Sequence, residues 1–166
     1  MEIKTTFIDY PDNESLAVIA FFSGCEHNCK GCQSPELQKY SNFGKPITHV
    51  LSEIFQELYV NKTNKLVLSG GDPLHPYNFE TTKHICSWLK KVHDINICIY
   101  TGYDINYIRN LNFRTFDFIK GGKYVESLKQ VSEKTDDYIQ FASSNQFLID
   151  TNMNTLSKEG RYYFKN

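Results

Sequence analysis

Three cysteines fall within eight residues, in the run Phe21-Phe22-Ser23-Gly24-Cys25-Glu26-His27-Asn28-Cys29-Lys30-Gly31-Cys32. Three thiolates on one short loop can hold three irons of a [4Fe-4S] cluster, a group that ordinarily takes four cysteines. A local set of only three leaves one iron open to another ligand, as open positions do in other catalytic metal centres. Two other readings compete. A zinc site would want a fourth ligand such as His27 in tetrahedral geometry, and a fully ligated cluster would draw on Cys86 or Cys98. Neither explains a second unusual loop, Ser69-Gly70-Gly71-Asp72-Pro73.

Cys86 sits in a helical pattern and Cys98 in a strand pattern, where free cysteine commonly behaves as a small buried hydrophobe. Gly70 and Gly71 end a buried strand and read alone as a tight turn. Beside a metal loop they gain a second meaning, because residues without Cβ let a ligand approach the backbone. Asp72, Pro73, His75 and Pro76 read as residues that shape this loop. Thr101-Gly102-Tyr103 and Ser143-Ser144-Asn145-Gln146 are polar segments at strand ends, ordinary loop chemistry in isolation.

The elements that must position these residues alternate between apolar runs and helical patterns. Leu16 to Phe22 reads as a buried strand, and Ile47, Val50, Leu51, Ile54, Phe55 and Leu58 recur at helical spacing. Lys65 to Ser69 is a second strand, followed by a helix with Ile85, Trp88, Leu89 and Val92 on one face. Ile95 to Tyr100 is a third, after which Asp104 is placed to cap a short helix through Ile105, Ile108 and Leu111. Phe116 to Ile119, Tyr138 to Phe141 and Phe147 to Ile149 are further strands, and Glu126 to Asp137 has no clear pattern. The alternation predicts a parallel sheet with covering helices. A complete β/α barrel typically needs ~250 residues, so an α/β fold in the form of an incomplete, open parallel barrel is expected. Cys25, Gly70, Thr101, Lys120 and Ser143 then each follow a strand, and parallel β/α folds place their sites at such carboxyl ends.

A chain of 166 residues is expected to form one domain, residues 1–166, able to bury roughly 70% of its unfolded surface. Its 40% hydrophobic and 14% aromatic content exclude a largely disordered chain. A formal net charge of −1 gives no electrostatic case for nucleic-acid binding. The longest apolar run, Leu16 to Phe22, is far below the ~20 residues that cross a bilayer. The amino terminus lacks the pattern of a signal peptide, and five cysteines is an odd number that fits metal and core roles better than a disulfide framework. A cytoplasmic location with reduced thiols is therefore expected.

The cysteine spacing joined to Ser69-Gly70-Gly71-Asp72-Pro73 resembles the radical S-adenosylmethionine superfamily. Ser23-Gly24-Cys25, His27, Gly31, Leu68 to Pro76, Thr101-Gly102-Tyr103 and Ser143 to Gln146 are similar, in order, to the family of anaerobic ribonucleoside-triphosphate reductase activases. The resemblance implies a [4Fe-4S] cluster on Cys25, Cys29 and Cys32, with S-adenosylmethionine chelating the open iron. It also implies cofactor contacts at Gly70, Gly71, Asp72, Thr101, Tyr103, Ser143, Ser144 and Asn145, with bulk at Gly71 blocking the cofactor but sparing the cluster. The implied partners are the large subunit of an anaerobic ribonucleotide reductase, which receives a glycyl radical, and a flavodoxin- or ferredoxin-like electron donor. Two other functions remain open. One is radical chemistry on a small molecule, as in the 7-carboxy-7-deazaguanine synthases, and the other a non-catalytic electron-transfer module. The chain departs from many such relatives in having Asp12-Asn13-Glu14-Ser15 for Asn-Gly-Pro-Gly, Lys120-Gly121-Gly122 where an Asp-Gly pair is common, and Gln33 for an aromatic.

Overall fold

The computed structural model describes residues 1–6, 10–12, 16–41 and 45–164, so Asn13, Glu14 and Ser15 of the departing segment lie outside the described residues. The chain runs β1 (Glu2–Thr6), β2 (Ala17–Phe22), α1 (Ile47–Val60), β3 (Lys65–Gly70), α2 (Pro76–Val92), β4 (Asn96–Tyr100), α3 (Ile105–Asn110) and β5 (Phe118–Gly121). It continues through β6 (Glu133–Lys134), β7 (Tyr138–Gln140), β8 (Phe147–Asp150) and β9 (Arg161–Tyr163). A six-stranded sheet has the order β1-β2-β3-β4-β5-β8, and a three-stranded sheet the order β6-β7-β9.

Strands β2 to β5 pair in parallel, each returning through a helical connection. Their side chains alternate faces as the pleat requires. Val18, Ala20, Phe22, Leu66, Leu68, Ile97, Ile99 and Ile119 point toward the helices, where they meet Val50, Ile54 and Leu58 of α1, Ile85 and Leu89 of α2, and Ile108 of α3. Ala17, Ile19, Val67 and Cys98 point to the opposite face with Phe21, Tyr100 and Phe118. A fully buried Leu or Ile contributes about 1.5–3 kcal/mol, so this central layer anchors the site-bearing loops. Helix α2 starts at Pro76, whose missing N–H costs nothing at a first helical position, and His75 caps it by accepting from the Tyr77 N–H at 3.3 Å. Asp104 caps α3 as expected, accepting from Tyr107 N–H at 2.9 Å.

Two expectations are corrected. The sheet is not wholly parallel: β1 flanks β2 and β8 flanks β5, both antiparallel. Tyr138 to Phe141 supplies no fifth strand to it, since β7 pairs with β6 and β9 in the second sheet. The reason lies in the connection after β5. A parallel return needs a crossover, usually a helix, and the stretch after β5 forms only a single 3₁₀ turn at Glu126–Leu128. The chain builds the small sheet there, covered by Ile139, Phe141 and Leu148, and β8 comes back antiparallel. The result is a mixed α/β architecture with a parallel-dominated central sheet and no closed barrel.

Candidate metal centre

The cysteine loop leaves the carboxyl end of β2 and lies against the loop that leaves the adjacent end of β3. Gly71 N–H donates to the Phe22 carbonyl at 2.7 Å and Asp72 N–H to the Gly24 carbonyl at 2.8 Å. Gly24 and Cys25 N–H groups donate in turn to the Leu37 and Gln38 carbonyls at 2.8 and 2.9 Å, so both ends of the cysteine loop are stitched together. The buried Asn78 amide reinforces the junction, donating to the carbonyls of Ser23 at 2.9 Å and Asp72 at 2.8 Å.

This packing explains the paired glycines. A Cβ on Gly71 would fall 2.6 Å from the Gly24 carbonyl oxygen, 2.7 Å from that of Leu37 and 2.8 Å from the Gly24 nitrogen, all backbone atoms that cannot swing aside. Gly70 has φ +103°, and its Cβ would meet the Phe22 backbone at 2.5 Å. Bulk at Gly71 would therefore strike first the backbone of the residue before Cys25.

Asp72 is fully buried and acts as the hub. Its carboxylate accepts from Leu74 N–H at 2.8 Å, from the Thr101 hydroxyl at 2.8 and 2.9 Å and from Gly102 N–H at 2.8 Å, and it meets His27 Nε2 at 2.8 Å. A buried carboxylate survives desolvation only with such partners, and here they come from three strand-end segments. Cys25, His27 and Asp72 bring ligand atoms within 4.8 Å of one another. Tyr103 packs its ring edge-on against His27, with centroids 4.5 Å apart, and donates its hydroxyl to Glu26 at 2.7 Å.

Of the expected cofactor contacts, Gly70, Gly71, Asp72, Thr101 and Tyr103 thus gather round the cysteine loop. Ser143, Ser144 and Asn145 belong to a different wall. They precede β8, which begins at the carboxyl end of β5 because Phe147 pairs with Gly121. Ser143 is buried, its hydroxyl accepting from Val125 N–H at 3.4 Å, and Ser144 N–H donates to the Leu128 carbonyl. The exposed Asn145 amide donates to the Lys123 carbonyl at 2.9 Å. The same wall approaches the far end of the cysteine loop, since a Cβ on Gly31 would lie 2.7 Å from Glu126 Oε2. Lys120 lies over the rings of Tyr100 and Phe141 at 4.6 and 5.0 Å.

Cys25, Cys29 and Cys32 are half-buried, whereas Cys86 and Cys98 are fully buried in the core. Burial pushes the Cys25 thiol up to about 11, the nearby His27 backbone N–H pulling the other way and Asp72 adding to the rise. A metal must therefore displace a proton to bind there. Sequence reasoning missed Asn78, Glu26 and the steric role of Gly102, whose Cβ would run into the His27 ring. Asn78 left a signal: it continues the buried stripe of α2 formed with Thr82, Ile85, Cys86 and Leu89, and an amide on a core-facing stripe needs partners. Glu26 and Gly102 left none, because their partners lie far away in sequence.

Residues 14–149 match the model of the 4Fe-4S single cluster domain family. The chain is 30% identical over 122 residues to the anaerobic ribonucleoside-triphosphate reductase-activating protein of Enterobacteria phage T4, covering 72% of this chain and 78% of the relative. The protein of the same name from Escherichia coli K12 is 29% identical over 146 residues, covering 84% and 91%. That of Haemophilus influenzae is 30% identical over 129 residues, covering 71% and 80%. No solved structure matches the chain.

Proposed function

The chain belongs to the 4Fe-4S single cluster domain family, and from that premise we propose that it is the activating enzyme of an anaerobic ribonucleotide reductase, installing a glycyl radical on the large subunit. One observation carries the reading: a three-cysteine loop is fastened by backbone and buried polar bonds to a Gly-Gly-Asp loop at the carboxyl end of parallel strands. The relatives named for this activity support the choice of partner.

The donor set fits a cluster with one open iron. Three half-buried thiols share one loop, and the remaining two cysteines are locked in the core on α2 and β4, so no fourth thiolate competes for the open site. A zinc site on Cys25, His27 and Asp72 is disfavoured, because the Asp72 oxygens already serve four protein partners. The chemistry supplied by the bound cluster and S-adenosylmethionine is reductive cleavage to methionine and a 5′-deoxyadenosyl radical, which takes a hydrogen atom from a glycine of the reductase.

In this reading Cys25, Cys29 and Cys32 are the iron ligands, and the loop at Gly70 and Gly71 offers backbone carbonyls to the cofactor's ammonium group. Asp72, Thr101 and Tyr103 hold the wall on one side, and Ser143, Ser144 and Asn145 contribute polar contacts from the other. The work of these residues is orientation, so that one bond of the cofactor breaks and the radical forms at a defined place. We read β2 to β5, with α1, α2 and α3 on one face, as an incomplete and open β/α barrel of the radical S-adenosylmethionine type, formed by residues 1–166 as one domain. The electron donor would be flavodoxin- or ferredoxin-like and the setting cytoplasmic. No described helix is long and apolar enough to cross a membrane.

The test is anaerobic incubation of the reduced protein with S-adenosylmethionine and the cognate large reductase, followed by electron paramagnetic resonance. A glycyl doublet on the reductase that requires all three loop cysteines is the expected result. Vigorous 5′-deoxyadenosine release on a small metabolite, with no protein radical, would overturn the partner.

A further inference from the structure

The cysteine loop lacks the backbone ladder that holds the rest of this sheet edge. Its entry is tied through Gly24 and Cys25 to Leu37 and Gln38, and its exit closes on itself where Cys32 N–H donates to the Cys29 carbonyl at 3.2 Å. Among the described residues, nothing else bonds the backbone of residues 26–31 to another backbone group. Two side chains fasten the middle of the loop to the sheet. Glu26 accepts from the Tyr103 hydroxyl, and His27 reaches Asp72.

The His27 ring is the more confined of the two. Its side chain is 12% exposed, with the edge of Tyr103 on one side and the bare Cα of Gly102 on another, where a Cβ would collide with it. Its hydrogen is assignable from its partner. The Leu74 and Gly102 N–H groups donate to Asp72 Oδ1 and Oδ2, and toward an ionised carboxylate so placed the His27 tautomer that fits is the one with its hydrogen on Nε2. The ring thus spans from between Cys25 and Cys29 to the ends of β3 and β4.

We propose that His27 is a positioning residue for the metal centre, its Nε2–H donated to Asp72 fixing where the Cys25 and Cys29 thiolates stand relative to the sheet edge. The inference rests on the cluster reading above. Its physical content is that an otherwise unladdered loop gains a definite geometry from one buried, charge-assisted hydrogen bond. Partners that orient metal ligands in this way typically change metal retention by 10–100-fold when removed. A histidine suits the task because it supplies both a donor at the right reach and a flat ring that fills the space over Gly102.

Two variants separate donor from ring: His27→Phe keeps the ring without the donor, and His27→Gln keeps a donor without the ring. After anaerobic reconstitution, His27→Phe is expected to bind about four irons but to lose them to a chelator about 10–100-fold faster than wild type, with a shifted spectrum of the reduced cluster. His27→Gln is expected to recover most of both properties. On the oxidised wild-type holoprotein, imidazole nitrogen correlation spectra are expected to show an Nε2–H protected from solvent, a result independent of whether a variant folds. A His27→Phe protein matching wild type in retention and spectrum, a His27→Gln protein as labile as His27→Phe, or an unprotected Nε2–H would each overturn the proposal. A wild-type chain that holds no four-iron cluster would instead end the reading on which it rests.

Discussion

The two walls that flank the cysteine loop are built on different principles. On the β3 and β4 side, the contacts are buried: Asp72 and Asn78 are almost without solvent exposure, and each binds several groups from distant segments. On the β5 and β8 side, the buried Ser143 hydroxyl accepts from Val125 and the part-buried Gln146 side chain bonds Gly122, but Ser144 meets Leu128 through backbone groups and Asn145 meets Lys123 through an exposed amide. A buried polar group that loses its partner retains the desolvation cost, while an exposed one turns to water. The first wall is therefore expected to be the stiffer mount and the second the more adaptable one.

The largest expected effect lies in the loop that both walls flank. Replacing Cys25, Cys29 or Cys32 by alanine is expected to reduce bound iron from about four per chain to near zero, while Cys86→Ala and Cys98→Ala keep it and lose only about 1 kcal/mol from a small cavity. Iron and sulfide analysis beside thermal unfolding reads both quantities. Retention of a full cluster by the Cys29 variant would remove the ligand assignment.

Next comes the hub of the first wall. Asp72→Asn turns an amide toward donors that need an acceptor, and is expected to cost about 3–4 kcal/mol, in the range for breaking a buried charge-assisted network. Denaturant unfolding of the full chain measures it. A loss below about 1 kcal/mol would mean that the network relaxes and that this wall is no stiffer than the other.

Gly71→Val tests the close approach of the two loops. Its Cβ would fall against the backbone of Gly24 and Leu37, so a stability loss of about 2–3 kcal/mol from overpacking is expected together with reduced cluster content. If the variant keeps its full cluster and fails only to bind S-adenosylmethionine, cofactor access rather than loop packing explains the glycine.

The smallest effects give the most direct comparison, because they use one residue type on each wall. Asn78→Ala strands buried carbonyls of Ser23 and Asp72 and is expected to cost about 2 kcal/mol. Asn145→Ala removes an exposed bond and is expected to stay within about 0.5 kcal/mol. Equal losses at the two positions would erase the proposed distinction.

The sequence by itself determined the local part of this protein. The spacing of Cys25, Cys29 and Cys32, the apolar runs of β2 to β5, the stripe of α1, Ile85 and Leu89 of α2 and the Asp104 cap are all set by neighbours a few residues apart and legible as periodicity or motif, whereas Trp88 and Val92, read onto the same face of α2, are exposed. Even Gly70 and Gly71 announce a place where backbone must come close. Only the tertiary structure decided what approaches: the Gly24 and Leu37 backbone at Gly71, and the His27 ring at Gly102. It also decided that Tyr138–Gln140 joins a second sheet and that β8 runs antiparallel, since strand pairing after a connection without a helix depends on partners far along the chain. The role of Asp72 is the clearest case. Its type and position suggest a turn or a cofactor contact, but four partners drawn from residues 27, 74, 101 and 102 make it the buried acceptor on which the site is assembled, and no pattern local to Asp72 encodes that set.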